Sequence, residues 1–60
     1  MLANFAERLK SARKMSGFSM AILADKTGNA VTKQAISKYE KGLMNPRGDA
    51  LVTLSRALGV

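Results

Sequence analysis

Apolar residues recur at helical spacing in four successive stretches of this chain. In the first, Leu2, Phe5, Ala6, Leu9 and Ala12 share one side, while Glu7, Arg8, Lys10, Ser11 and Lys14 fall on the other, the division expected of an amphipathic helix. Asn4 followed by Glu7 fits a capping box that starts the helix, and Gly17 is its natural stop. A second, short helix is predicted from Ser19 as N-cap, with Ile22 and Leu23 as the buried contacts and Gly28 as the end. After a turn through Gly28-Asn29-Ala30-Val31, Thr32 caps a third helix. Val31 is placed to staple against Ile36, and Gly42 ends the helix. The segment from Leu43 to Gly48 reads as a loop, because Pro46 and Gly48 both discourage a helix. A fourth helix then carries Leu51, Leu54, Ser55 and Leu58 on one face and stops at Gly59. The chain shows no strand-like alternation, internal repeat or low-complexity segment, so the expected class is all-α, a compact four-helix domain over 1–60.

The third helix is divided sharply. Lys33, Gln34, Ser37, Lys38 and Lys41 lie along one side, all polar and three of them cationic. Ala35, Ile36, Tyr39 and Leu43 occupy the other side and are expected to pack on the core. Gln pairs with adenine N6 and N7, Lys donates to guanine O6 and N7, and Ser serves either base, so the polar side suits a base-reading role. A solvated outer face would show the same pattern. What favours DNA is the preceding helix, since Ser19 to Lys26, a short turn and Thr32 to Lys41 have the length of a helix-turn-helix, spanning about 19–41 with a recognition helix at about 33–41. The amides near Ser19 and Met20 open the first of these helices, and such a start attracts a phosphate oxygen.

Arg13 and Glu40 each stand on the apolar stripe of their own helix, where a lone charge is costly to bury. The economical arrangement is that they meet and brace the first helix against the end of the third; the alternative is that both side chains snorkel to water.

Composition narrows the function. Sixty residues form one domain with a thin stability margin. The absence of cysteine and histidine excludes disulfides and Cys/His zinc sites. Ten Lys and Arg against four Asp and Glu leave a net charge of +6, which suits a polyanion, either nucleic acid or an anionic membrane surface, though a basic face can serve solubility alone. No stretch approaches the roughly 20 apolar residues that span a bilayer. Glu7, Arg8 and Lys10 interrupt any signal-peptide pattern. The expected location is the cytoplasm, on the nucleoid.

The strings Arg8-Leu9-Lys10 with Arg13, Gly17-Phe18-Ser19, Leu23-Ala24-Asp25-Lys26-Thr27-Gly28 and Val31 through Gly42, then Asn45-Pro46 and Ala57-Leu58-Gly59-Val60, resemble the Cro/C1-type (XRE) repressor domain across almost the whole chain. The resemblance implies a lambda-repressor-like fold, truncated from five helices to four. It also implies a bacterial or phage transcription factor, a repressor, that binds double-stranded operator DNA, commonly as a homodimer. Carried onto this chain, Lys33, Gln34, Ser37 and Lys38 match base-facing positions. Phosphate contacts are expected at Ser19, Met20, Thr32, Lys41, Asn45 and Arg47, and Arg13 with Glu40 matches a structural salt bridge. Three features depart from the family. Met20 stands where a phosphate-holding Gln is usual, the turn before the third helix is longer than the commonest form, and the chain stops at Val60 where a fifth helix would follow. The expectation is therefore either a trimmed domain or a short variant, with room for a further C-terminal domain or partner protein. The 31–42 string also resembles regulators joined to an ImmA/IrrE-type metallopeptidase, of which no part is present.

Enzymatic function is not expected: nothing supplies a nucleophile, a base or a cofactor or metal site. The rival is a protein-interaction or antitoxin-type module in which Met15, Met20, Leu43 and Met44 form an adaptable apolar patch; such residues more often fill core gaps, and Met15 is expected to do so. A membrane role ranks lower, because the cationic helix has no aromatic insertion face.

Overall fold

The computed structural model describes residues 4–59, so the expected contribution of Leu2 and the matching Val60 lie outside the described residues. The described residues form four helices in the order α1 (Phe5–Met15), α2 (Met20–Lys26), α3 (Lys33–Glu40) and α4 (Gly48–Leu58), and no strand occurs among them. The first three helices start where a short polar side chain takes up an orphan first-turn amide. Asn4 Oδ1 accepts from the Glu7 N–H at 2.9 Å, Ser19 Oγ from Ile22 at 3.1 Å, and Thr32 Oγ1 from Ala35 at 3.1 Å. α4 starts differently. Arg47 occupies the N-cap position without a side-chain cap, and Gly48, expected in the loop, is the first helical residue. Glycine is tolerated there because first-turn amides lack helical partners in any case. Asp49 compensates, its Oδ1 accepting from the Ala50 N–H at 2.9 Å.

The core sits between α1, α2 and α3 and is closed by α4. Leu9, Leu23, Ala24, Val31, Ile36, Tyr39 and Leu54 form its buried cluster, with Phe5, Phe18, Met20, Ala50 and Leu58 among the residues packed around it. Val31 and Ile36 are both in this cluster, on either side of the Thr32 cap. Four expected core positions turn outward. Ile22 is 44% exposed while Ala24 is buried, because residues 20, 23, 24 and 27 share the inward face of α2 and residue 22 falls one step outside it. Met15 is fully outside, on the side of α1 opposite Arg13. Leu51 flanks the inward line of α4 through Leu54 and lines an open groove with Phe5, Ala12 and Leu58. Leu43 is 72% exposed: the left-handed Gly42 (φ 73°) ends the helical register, so the spacing that put residue 43 beneath residue 39 no longer applies.

The link between α2 and α3 is closed by Thr27 and two successive left-handed residues, Gly28 (φ 68°) and Asn29 (φ 65°). These are the residue types that tolerate this region of backbone space. Thr27 Oγ1 donates to the Ala24 carbonyl at 2.6 Å and accepts from the Val31 N–H at 3.2 Å. The longer turn is thereby stitched to the end of α2.

One ion pair spans the fold. Arg13 Nε donates to Glu40 Oε2 at 2.6 Å and Nη2 to Oε1 at 3.0 Å, a two-pronged arrangement that fixes direction as well as distance. The third prong, Nη1, donates to the Phe18 carbonyl at 2.9 Å. The side chains are only 11% and 3% exposed. The hydrogen bond to Glu40 raises the Arg13 pKa above its ordinary value despite the opposing effect of burial. The guanidinium is therefore held in its charged form. Among the described residues no buried side-chain nitrogen or oxygen lacks a hydrogen-bond partner.

Glu40→Ala leaves the Arg13 guanidinium buried beside an empty carboxylate site. It is expected to lower the unfolding free energy by about 3–5 kcal/mol, measured by urea unfolding followed by circular dichroism. A loss below about 1 kcal/mol, the range of exposed pairs, would show that the pair does not brace the fold.

Candidate nucleic-acid interface

α3 is held from behind and open in front. Ile36 and Tyr39 seal its inner side, Ala35 packs at the edge, and the Glu40 carboxylate is anchored to Arg13. The amphipathic division thus places Lys33, Gln34 and Lys38 fully at the surface, with Ser37 half-buried between them. Helix α3 itself ends at Glu40. Lys41, the expected last helical residue, is instead its C-cap, one position beyond the helical end, and its N–H donates back to the Ser37 carbonyl at 3.1 Å. Lys41 therefore stays on the same side as the helical residues.

A shallow depression brings these positions together. Lys33, Gln34, Ser37, Lys38 and Lys41 line it, joined by Met20 from the start of α2 and by Leu43 beyond Gly42. Ser19, Thr32, Asn45 and Arg47 do not line it. Ser19 and Thr32 have their hydroxyl oxygens engaged as helix caps, while Asn45 and Arg47 are exposed in the α3–α4 connection and at the α4 start. Sequence reasoning missed Leu43 as part of this face. The signal was Gly42, which both ends the helix and frees the next side chain from the core.

The face is strongly positive. Glu40, the acidic residue of α3, points away into its pair with Arg13, so Lys33, Lys38 and Lys41 are within no ion pair among the described residues. Lys26, at the end of α2, lies 5.0 Å from the centre of the Phe18 ring, close enough for cation–π attraction and not foreseen from spacing. This arrangement can gather anions over a rigid surface and present amide, hydroxyl and ammonium donors to them. Among the described residues no group of three or more His, Cys, Asp or Glu is placed to hold a metal ion, and no helix is long and apolar enough to cross a membrane.

Comparison with known proteins gives a family and a curated relative. A family described as helix-turn-helix matches residues 9–60. The chain is also similar to the SPbeta prophage-derived uncharacterized HTH-type transcriptional regulator YonR of Bacillus subtilis (strain 168). The two are 43% identical over 56 residues, covering 93% of this chain and 50% of that protein. The chain thus spans about half the length of the curated relative it matches. No solved structure matches it.

Because Thr32 starts the helix that carries the face, Thr32→Ala is expected to lower stability by about 1 kcal/mol and to speed amide exchange at Ala35, whose N–H the hydroxyl accepts. Unchanged protection at Ala35 would mean the cap does not hold the first turn.

Proposed function

The chain belongs to the Cro/C1-type (XRE) helix-turn-helix family, and from that premise we propose that it binds double-stranded DNA as a transcriptional regulator, with α3 lying in the major groove. The observation that carries this reading is the isolation of Lys33, Gln34, Ser37, Lys38 and Lys41 on one exposed, uncompensated face, while the back of the same helix is locked into the core. The description of YonR as a transcriptional regulator supports it. In this reading Gln34, Lys33, Ser37 and Lys38 meet base edges. Lys41, Asn45 and Arg47, with the helix starts at Ser19, Met20 and Thr32, meet phosphates, and their contribution is sequence-independent. Loss of the family's usual Gln at position 20 removes a side-chain phosphate contact.

The regulator acts as a repressor in the cytoplasm, on the nucleoid, and binds as a homodimer, because one monomer covers few bases and two half-sites about one helical turn apart multiply the specificity. No enzymatic step and no cofactor enter this reading.

Duplex binding is expected to weaken steeply with salt, with a log–log slope of about −0.9 for each phosphate contacted. On a duplex selected from random sequence, Gln34→Ala should relax preference at one base position and cost about 1–3 kcal/mol. Lys41→Ala should weaken all duplexes nearly equally and reduce the slope by about one. Fluorescence anisotropy titrations across a salt series measure both. No duplex binding at low salt would refute the reading, and identical behaviour of the two variants would refute the division of roles.

A further inference from the structure

Two side chains on the cationic face are not explained by its charge. Met20, the first residue of α2, is half-buried: part of it packs against the core, and it also lines the depression. Leu43 lines the same depression from beyond the end of α3 and is 72% exposed. Its backbone is fixed, with the Leu43 N–H donating to the Lys38 carbonyl at 2.9 Å, so the exposed leucine is held beside Lys38 and Lys41. A leucine left in water forgoes most of the stabilisation its burial would supply. Phosphate oxygens offer such a side chain nothing.

The major groove does present one projecting apolar group, the C5-methyl of thymine. Resting on the DNA-binding reading above, we propose that Met20 and Leu43 recognise thymine by covering its C5-methyl group, adding apolar readout to the hydrogen-bonding readout of Gln34 and its neighbours. Charge selects the occupant. Lys33, Lys38 and Lys41 draw a polyanion onto the area that contains both apolar side chains, whereas an apolar protein surface docked here would bury three unpaired ammonium groups. The two residues also suit the task physically. Methionine, anchored at its base by the core, keeps an adaptable tip, and leucine offers a compact methyl pair at a fixed backbone position.

The test starts from the duplex that the chain selects from a random-sequence library. That duplex is remade with deoxyuridine in place of each thymidine in turn, which removes the C5-methyl and leaves every hydrogen-bonding edge unchanged. Affinity is expected to fall about fourfold at one or more thymines, as for the loss of one buried methyl-sized group. Met20→Gln, close in length to the native residue, should erase this difference at one thymine. Leu43→Ser, which alters an exposed side chain and leaves the core intact, should erase it at another or at the same one. Thermal melts confirm that both variants fold. A selected site without thymine, or thymine-to-uridine ratios unchanged in both variants, would overturn the proposal while leaving salt-dependent, Gln34-dependent DNA binding in place. Failure of every duplex to bind would instead overturn the underlying reading, and this proposal with it.

Discussion

A guanidinium and a carboxylate removed from water in a chain of this size must satisfy each other, because a small core has little free energy with which to offset an unpaired charge. Arg13 and Glu40 do so with two hydrogen bonds, and Arg13 spends its remaining prong on the Phe18 carbonyl. These contacts tie together the end of α1, the turn into α2 and the last residue of α3. An apolar pair would hold the same elements by burial alone, which has no direction. The forked geometry adds an angular constraint, so the rotation of α3 about its own axis is set as well as its distance from α1. Everything that the outer face of α3 can do depends on that rotation.

The pair also shapes the electrostatics of the face. By turning the α3 carboxylate inward and neutralising it, Arg13 removes an acidic group from the helix that carries Lys33, Lys38 and Lys41. The three lysines are left without local compensation, and the face becomes an attractor for anions. Structural support and surface charge thus come from one interaction. Thr32 contributes at the other end of the helix by fixing its first turn, where the two exposed donors Lys33 and Gln34 stand side by side.

Much of this was legible in the sequence because it is governed by local chemistry. Asn4, Ser19 and Thr32 act as caps within three residues of their own position, and the isolation of Arg13 and Glu40 on apolar stripes pointed to their union. Other features depend on the phase of a helix or on what lies across from it. Ile22 and Ala24 exchange places through a shift of the inward face that one turn of apolar residues is too short to define. Leu43 falls outside periodic reasoning once Gly42 adopts a left-handed conformation. The start of α4 at Gly48 ran against propensity, and Asp49 supports it from inside the helix. The meeting of Met20 with the α3 face is a tertiary outcome, set by how α2 crosses α3.

The central claim is that a braced α3 presents its outer face to duplex DNA. Its most direct test is a titration of the isotope-labelled chain with its selected duplex, followed by amide chemical-shift changes residue by residue. The account predicts that the changes concentrate on 33–41, with a second set at 19–20 and at 43–47, and that the groove between α1 and α4 is unaffected. Changes centred on that groove or on the outer side of α1, with 33–41 silent, would contradict it.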